Sequence, residues 1–192
     1  MFWPLVLPFQ ITIGLLSAIV LLSPMIASVM NWKRRKTFLI FTLLSLLAFI
    51  PSCALIATIT DHFRFGLFEY ENYAEVKDPG VHLYLPPGAT KISLNKYASG
   101  YEAKYKITES DFHAYLDGLW EEYGQLSVIK RKDRSGEGLP VQEEDFERFH
   151  SLDWQPLANA SLFHSPVQGN GGGARYYYDS KAGMVYQQTA YW

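Results

Sequence analysis

Five histidines, 19 acidic side chains and one cysteine are the groups from which chemistry would have to be built in this 192-residue chain. Their spacing limits what they can do. His62, His82, His113, His150 and His164 form no H-x-H or H-E-x-x-H pair and meet no cysteine pair, so a zinc site has no local scaffold. His113 and Asp117 stand four residues apart, which on a helix brings an imidazole and a carboxylate to one edge; the ordinary use of such a pair is a solvated surface contact. Glu121 with Glu122 and Glu143 with Glu144 are adjacent and point in different directions on a helix, so neither pair is spaced as a general acid and base. The glycine-rich stretch 169–173 is followed by Ala174, Arg175 and Tyr176 instead of the lysine and hydroxyl residue of a phosphate loop, and it reads as a flexible approach to a hairpin. No G-x-S-x-G elbow occurs, and Asn159-Ala160-Ser161 is a glycosylation sequon with meaning only in a eukaryotic secretory setting. Nothing in these residues calls for a cofactor or a metal.

The tyrosines offer a different chemistry. All 13 lie after Thr60, and tyrosine either packs with its hydroxyl at a rim or builds a binding surface. Successive strand residues face opposite ways, so Tyr176 and Tyr178 point one way and Arg175 and Tyr177 the other. One set packs on a core; the other is expected to meet solvent or a partner. Arg175, Tyr177, Tyr186, Tyr191 and Trp192 are therefore the expected binding surface.

The elements that would position these residues can be read from periodicity. Residues 101–107 alternate Tyr101, Ala103, Tyr105 and Ile107 against Glu102, Lys104 and Lys106, the pattern of a strand with one covered face. Residues 92–97 pair with them across Ala98, Ser99 and Gly100. Thr108 with Asp111 opens a helix that Gly124 stops, and Phe112, Tyr115, Leu116, Leu119, Trp120 and Tyr123 give it a wide apolar stripe for the sheet. Strands are also expected over 81–85 and 127–130, followed by a polar loop over 131–138. A second, shorter helix is expected over 140–150 with Phe146 and Phe149 facing in. Little periodicity appears over 154–166. A C-terminal hairpin of 175–178 and 184–192, turning through Asp179 to Gly183, completes the sheet.

Upstream the composition changes completely. Residues 2–30 and 37–60 carry no charged side chain, and each run exceeds the roughly 20 residues that a helix needs to cross a hydrocarbon core. Between them Lys33, Arg34, Arg35 and Lys36 form a basic knot. Positive loops stay cytoplasmic, because a central Lys or Arg costs about 2.5–3.5 kcal/mol on insertion scales. The expectation is a membrane-anchored α+β protein. A two-helix transmembrane hairpin (residues 1–60, spans about 9–30 and 37–59, cytoplasmic loop 31–36) leads into one extracytoplasmic antiparallel-sheet domain (61–192) with one long and one short packed helix. An aromatic and charged collar over 61–73 would lie along the headgroups. In a bacterium the protein would occupy the inner membrane with the C-terminal domain outside.

Cys53 supports a rival arrangement. If Met30 is the start, Lys33–Lys36 become a signal n-region and residues 50–53 approximate a lipoprotein box, with Cys53 lipidated; Pro51 and the apolar run after Cys53 depart from that pattern. Either way the domain is tethered. It carries 13 basic and 19 acidic side chains, which lacks the basic footprint of a nucleic-acid binder. Its partners are then the lipid bilayer and another envelope protein. A binding module is the expected role; an envelope enzyme assembled from dispersed residues and an accessory subunit acting through the helices are the alternatives.

Overall fold

The computed structural model describes residues 3–133 and 137–190. The chain divides into two compact units, Met1–Phe65 and Gly66–Trp192.

The first unit is a helical hairpin of α1 (Trp3–Val29) and α2 (Arg34–Arg64). The turn between them is shorter than the expected loop 31–36. Asn31 takes the left-handed conformation that asparagine tolerates, with φ 54°, and Trp32 N–H returns to the Ala27 carbonyl at 2.8 Å. Arg34, Arg35 and Lys36 consequently form the first turn of α2. The helices run antiparallel: Phe9 meets Phe49 edge-on at 5.4 Å near one end, and Arg34 donates to Ser28 Oγ at 3.1 Å near the other. Pro8, Thr12, Ser23 and Ala27 on α1 and Thr37 on α2 are buried along the seam. Small residues at three- and four-residue steps let two backbones approach closely. Pro24 has no N–H for the Val20 carbonyl, and the Ser23 hydroxyl donates to that carbonyl at 2.7 Å. Thr12, Thr42 and Thr58 likewise return their hydroxyls to carbonyls of the preceding turn.

The second unit is α+β. Its six strands are β1 (Gly66–Asn72), β2 (Thr90–Tyr97), β3 (Gly100–Lys106), β4 (Ala160–His164), β5 (Gly173–Asp179) and β6 (Met184–Ala190). They form one antiparallel sheet in the order β1-β2-β3-β6-β5-β4. The helix α4 (Glu109–Tyr123) covers one face, capped by Thr108, whose hydroxyl accepts from Asp111 N–H. Phe112, Leu116 and Leu119 of its stripe are buried. The β5–β6 turn ends on Gly183 with φ 59°, the conformation that a turn with a glycine bulge requires.

Four expectations are corrected. Residues 81–85 are not a strand. Asp78 accepts from Gly80 N–H and Pro79 stands at the first helical position, so a short helix α3 (Pro79–His82) forms; Val81, Tyr84 and Leu85 are buried at helical rather than alternate spacing. Residues 127–130 form no strand, although Val128 N–H reaches the Val167 carbonyl at 3.0 Å. The collar over 61–73 is the end of α2 followed by β1, an edge strand whose apolar–polar alternation is masked by its exposed Leu67. Residues 154–166 contain β4, whose outer edge is covered by residues 138–141: Gly138 N–H donates to Leu162 O at 2.7 Å and Val141 N–H to Ala160 O at 3.0 Å.

The expected second helix is a ten-residue 3₁₀-helix, Glu143–Leu152, opened by a capping box between Gln142 and Asp145. A 3₁₀-helix has three residues per turn, so Phe146, Phe149 and Leu152 fall on one face. Phe146 and Phe149 are fully buried on the sheet face opposite α4.

Candidate functional site

The expected binding face is mostly interior. Tyr176 and Tyr178 pack under α4, where Phe112 stacks on Tyr178 at 4.6 Å. Tyr177 and Tyr186 do not meet solvent on the opposite face. They are 4% and 3% exposed, roofed by Phe146, Phe149 and Trp154, with Phe149 to Tyr186 at 5.3 Å and the Tyr186 hydroxyl donating to Gln155 O at 2.8 Å. The roof comes from residues 143–154, a segment whose sequence points Phe146 and Phe149 inward without saying which sheet face they cover. Arg175 stays exposed. Tyr191 and Trp192 lie outside the described residues.

Three of the tyrosine hydroxyls hold a segment of backbone. Residues 81–84 span the end of helix α3 and the turn after it; the Val81 carbonyl takes backbone N–H groups from Tyr84 and Leu85, and side chains supply further donors to this segment. Tyr101 from β3 donates to Val81 O at 3.1 Å, Tyr115 from α4 to Leu83 O at 3.1 Å, and Tyr176 from β5 to Tyr84 O at 3.0 Å. The Gln187 amide on β6 adds a donor to Tyr84 O at 2.8 Å and contacts the Tyr101 hydroxyl at 2.8 Å. Burial pushes the Tyr105, Tyr115 and Tyr176 phenols far up, so they stay protonated. The Tyr105 hydroxyl is buried without a hydrogen-bond partner.

Four charged or titratable groups converge beside α4 that sequence spacing does not connect. Asp117 is not held by His113. It accepts from Arg131 at 2.6 Å, and Arg131 also reaches Glu137 at 3.1 Å through Nε. Glu137 Oε2 faces the Nδ1 of buried His164 at 3.7 Å, an ion-pair separation about 0.5 Å beyond an ordinary hydrogen bond. Burial alone would raise the Glu137 carboxyl; His164 and the Arg131 guanidinium outweigh it and hold the group below its usual value. His113, Lys132 and Phe163 complete a wide, open cleft over this chain of charges. Asp117, Arg131, Glu137 and His164 come from four different segments, and only the fold brings them together. Among the described residues no group of three or more His, Cys, Asp or Glu side chains converges as a metal centre would require.

Beyond this cluster, the end of α4 and the loop after β4 enclose an apolar groove of about 230 Å³ lined by Leu83, Tyr84, Leu119, Leu126, Pro166 and Val167. Leu126 in its lining is 77% exposed and Val128, two residues on, is 63% exposed; Leu67 and Leu139 elsewhere in the domain are also open, at 53% and 60%. Comparison with family models, with curated proteins and with solved structures finds no match.

Proposed function

We propose that this chain is a membrane-tethered binding module: the hairpin spans the bilayer, the turn carrying Lys33–Lys36 faces the cytoplasm, and residues 66–192 bind another envelope protein on the outer side. The observation that carries the reading is the distribution of side chains on α1 and α2. Leu21, Val29, Leu46, Leu47 and Ile50 are between 69% and 83% exposed, while the seam between the helices is made of small and hydroxyl residues. A soluble hairpin has the reverse pattern, with large apolar groups inside. Both helices are long and apolar enough to cross a membrane, with mean hydropathy of 2.3 and 2.5 over their most apolar stretches. Cys53 lies within α2, which continues to Arg64; this supports a spanning helix over a lipidated N-terminus there.

The single cysteine makes the topology testable. In a Cys53→Ser background, Ser99→Cys in the domain should react with a membrane-impermeant thiol reagent on intact spheroplasts. Asn31→Cys in the helical turn should react only after permeabilisation. The opposite labelling would reverse the orientation, and a mature chain beginning at Cys53 by intact mass would remove the first span.

The apolar groove supports protein binding by the domain, since open apolar surface rimmed by polar residues is what docking sites present. A photo-crosslinking residue at Val128 should yield a discrete adduct in native membranes that Leu126→Asp abolishes. A second reading, an accessory subunit acting through its helices, is favoured by a groove of about 450 Å³ along the hairpin, lined by Ser17, Ser45, Leu16, Val20 and Phe49. Ser45→Leu should then release a membrane partner while leaving the Val128 adduct intact.

A further inference from the structure

The domain has a second cleft, which His164 also lines, with a different composition. Arg148 on the 3₁₀-helix and Arg175 on β5 line it together with Gln188 on β6, His164 at the end of β4, and Gly171 and Gly173 of the loop between β4 and β5. Its volume is about 370 Å³. The two arginines are 27 positions apart and reach the cleft from different elements. Both act on one atom, the Tyr177 hydroxyl: burial pushes that phenol up, and the charges of Arg175 and then Arg148 partly offset the push.

The electrostatics of this cleft run against those of the domain. Residues 61–192 hold 19 acidic and 13 basic side chains, yet neither Arg148 nor Arg175 has a carboxylate within ion-pair reach among the described residues. Lys96 and Arg131, by contrast, are paired with Asp78 and with Asp117 and Glu137. Asp145 also acts on the Tyr177 hydroxyl, and its carboxylate accepts from Gln142 N–H in the helix cap. Two exposed guanidinium forks lining one open polar cleft, with no carboxylate in ion-pair reach among the described residues, are an arrangement that can receive a multi-oxygen anion bidentately. The loop beneath them is built close. Gln168 N–H reaches Gly172 O at 2.8 Å, and a side chain on Gly173 would come within 3.2 Å of Val167 Cγ2 and 3.3 Å of Pro166 O, so the cleft floor is tightly packed there.

We propose that the cleft between Arg148 and Arg175 binds a phosphate group, carried by soluble phosphate or by a lipid headgroup, with the two guanidinium groups as its principal ligands and the Gln188 amide as a neutral donor. Register places the cleft at the end of the sheet that holds Gly66, the residue following the hairpin unit in sequence; Gly66 pairs with Lys96 and Arg175 with Gln188 at that end. The proposal deepens the binding-module reading and rests on it.

The test uses the full chain in two arms. Protein in nanodiscs of neutral phosphatidylcholine is dialysed against radiolabelled inorganic phosphate. In parallel, detergent-solubilised protein is given short-chain phosphatidylglycerol or phosphatidylcholine of equal chain length and read by native mass spectrometry. Saturable retention of phosphate identifies a soluble ligand; selective retention of phosphatidylglycerol identifies a headgroup. In either case Arg148→Gln and Arg175→Gln should each weaken binding about ten- to a hundredfold, the loss expected for a charged hydrogen-bonding group. Arg175→Lys, which keeps the charge and loses the fork, should fall between them and the parent, and Lys77→Gln should bind as the parent does. No retention of either probe by the parent, or equal retention by the folded arginine variants, overturns the proposal. A persisting Val128 adduct would then show that the phosphate site alone has failed; loss of that adduct with phosphate retention intact would show the reverse.

Discussion

At the scale of single residues, the buried tyrosines separate into those whose hydroxyls are used and two, Tyr105 and Tyr178, whose hydroxyls have no hydrogen-bond partner. Tyr176 satisfies the Tyr84 carbonyl, and removing its oxygen leaves a buried acceptor with one donor fewer. Tyr176→Phe should cost about 1–3 kcal/mol. Tyr105→Phe removes a hydroxyl that is buried without a partner, so it should be neutral or stabilising. Thermal melts of the full chain in detergent, followed by near-ultraviolet circular dichroism, compare the two; equal losses would mean that the hydroxyl contacts carry no weight. Glu137 gives a pH signature. Its carboxyl is held low in the folded state, so its contribution is present in full above the ordinary glutamate value of about 4.3 and is lost as pH falls through the lowered folded value. The parent should therefore melt above Glu137→Gln at pH 7, with the difference shrinking in strong acid. A gap unchanged by acid would assign the effect to packing. None of these roles was legible in sequence, because the Tyr84 carbonyl lies 92 positions from Tyr176 and, although Arg131 is six positions from Glu137, His164 lies 27 positions away. Tyrosine abundance was visible; its use for holding the carbonyls of 81–84 was not.

At the scale of elements, legibility followed local period. β3 and α4 stood out because each repeats its pattern over several residues with a cap or turn at its end. β1 and β4 did not. Leu67 is exposed on β1, and β4 sits where residues 138–141 cover its edge, so neither alternates cleanly. The 3₁₀-helix was recognised as helical with the right aromatic residues inward, but its boundaries and type differed, because phenylalanines three apart fit either geometry. It now accounts for the hidden face of the sheet. Leu116→Ala on α4 should cost about 2–5 kcal/mol and Phe149→Ala on the 3₁₀-helix about 3–5 kcal/mol, since both side chains are fully buried. Phe149→Ala should in addition expose Tyr177 and Tyr186, raising their reactivity toward a tyrosine-selective reagent while Tyr101 stays protected. Protection of all three would show that the roof does not depend on Phe149.

At the scale of the whole molecule, the sheet is assembled from two three-stranded pieces, β1-β2-β3 and β4-β5-β6, joined by the pairing of β3 with β6. That junction has a consequence in time. β3 ends at Lys106 and its neighbour does not begin until Met184, so a ribosome adding about 5–20 residues per second leaves β3 waiting about 4–16 s for the strand that closes it. During that interval the nascent chain presents an unpaired edge flanked by Tyr101, Ala103 and Tyr105, a template for pairing with another chain. Chains stalled before residue 184 should be digested throughout residues 66–183 by added protease, whereas chains stalled well beyond residue 190 should yield a resistant fragment. The first half of the domain therefore needs its β3 edge shielded, as a holding chaperone would do, until the last strand has emerged.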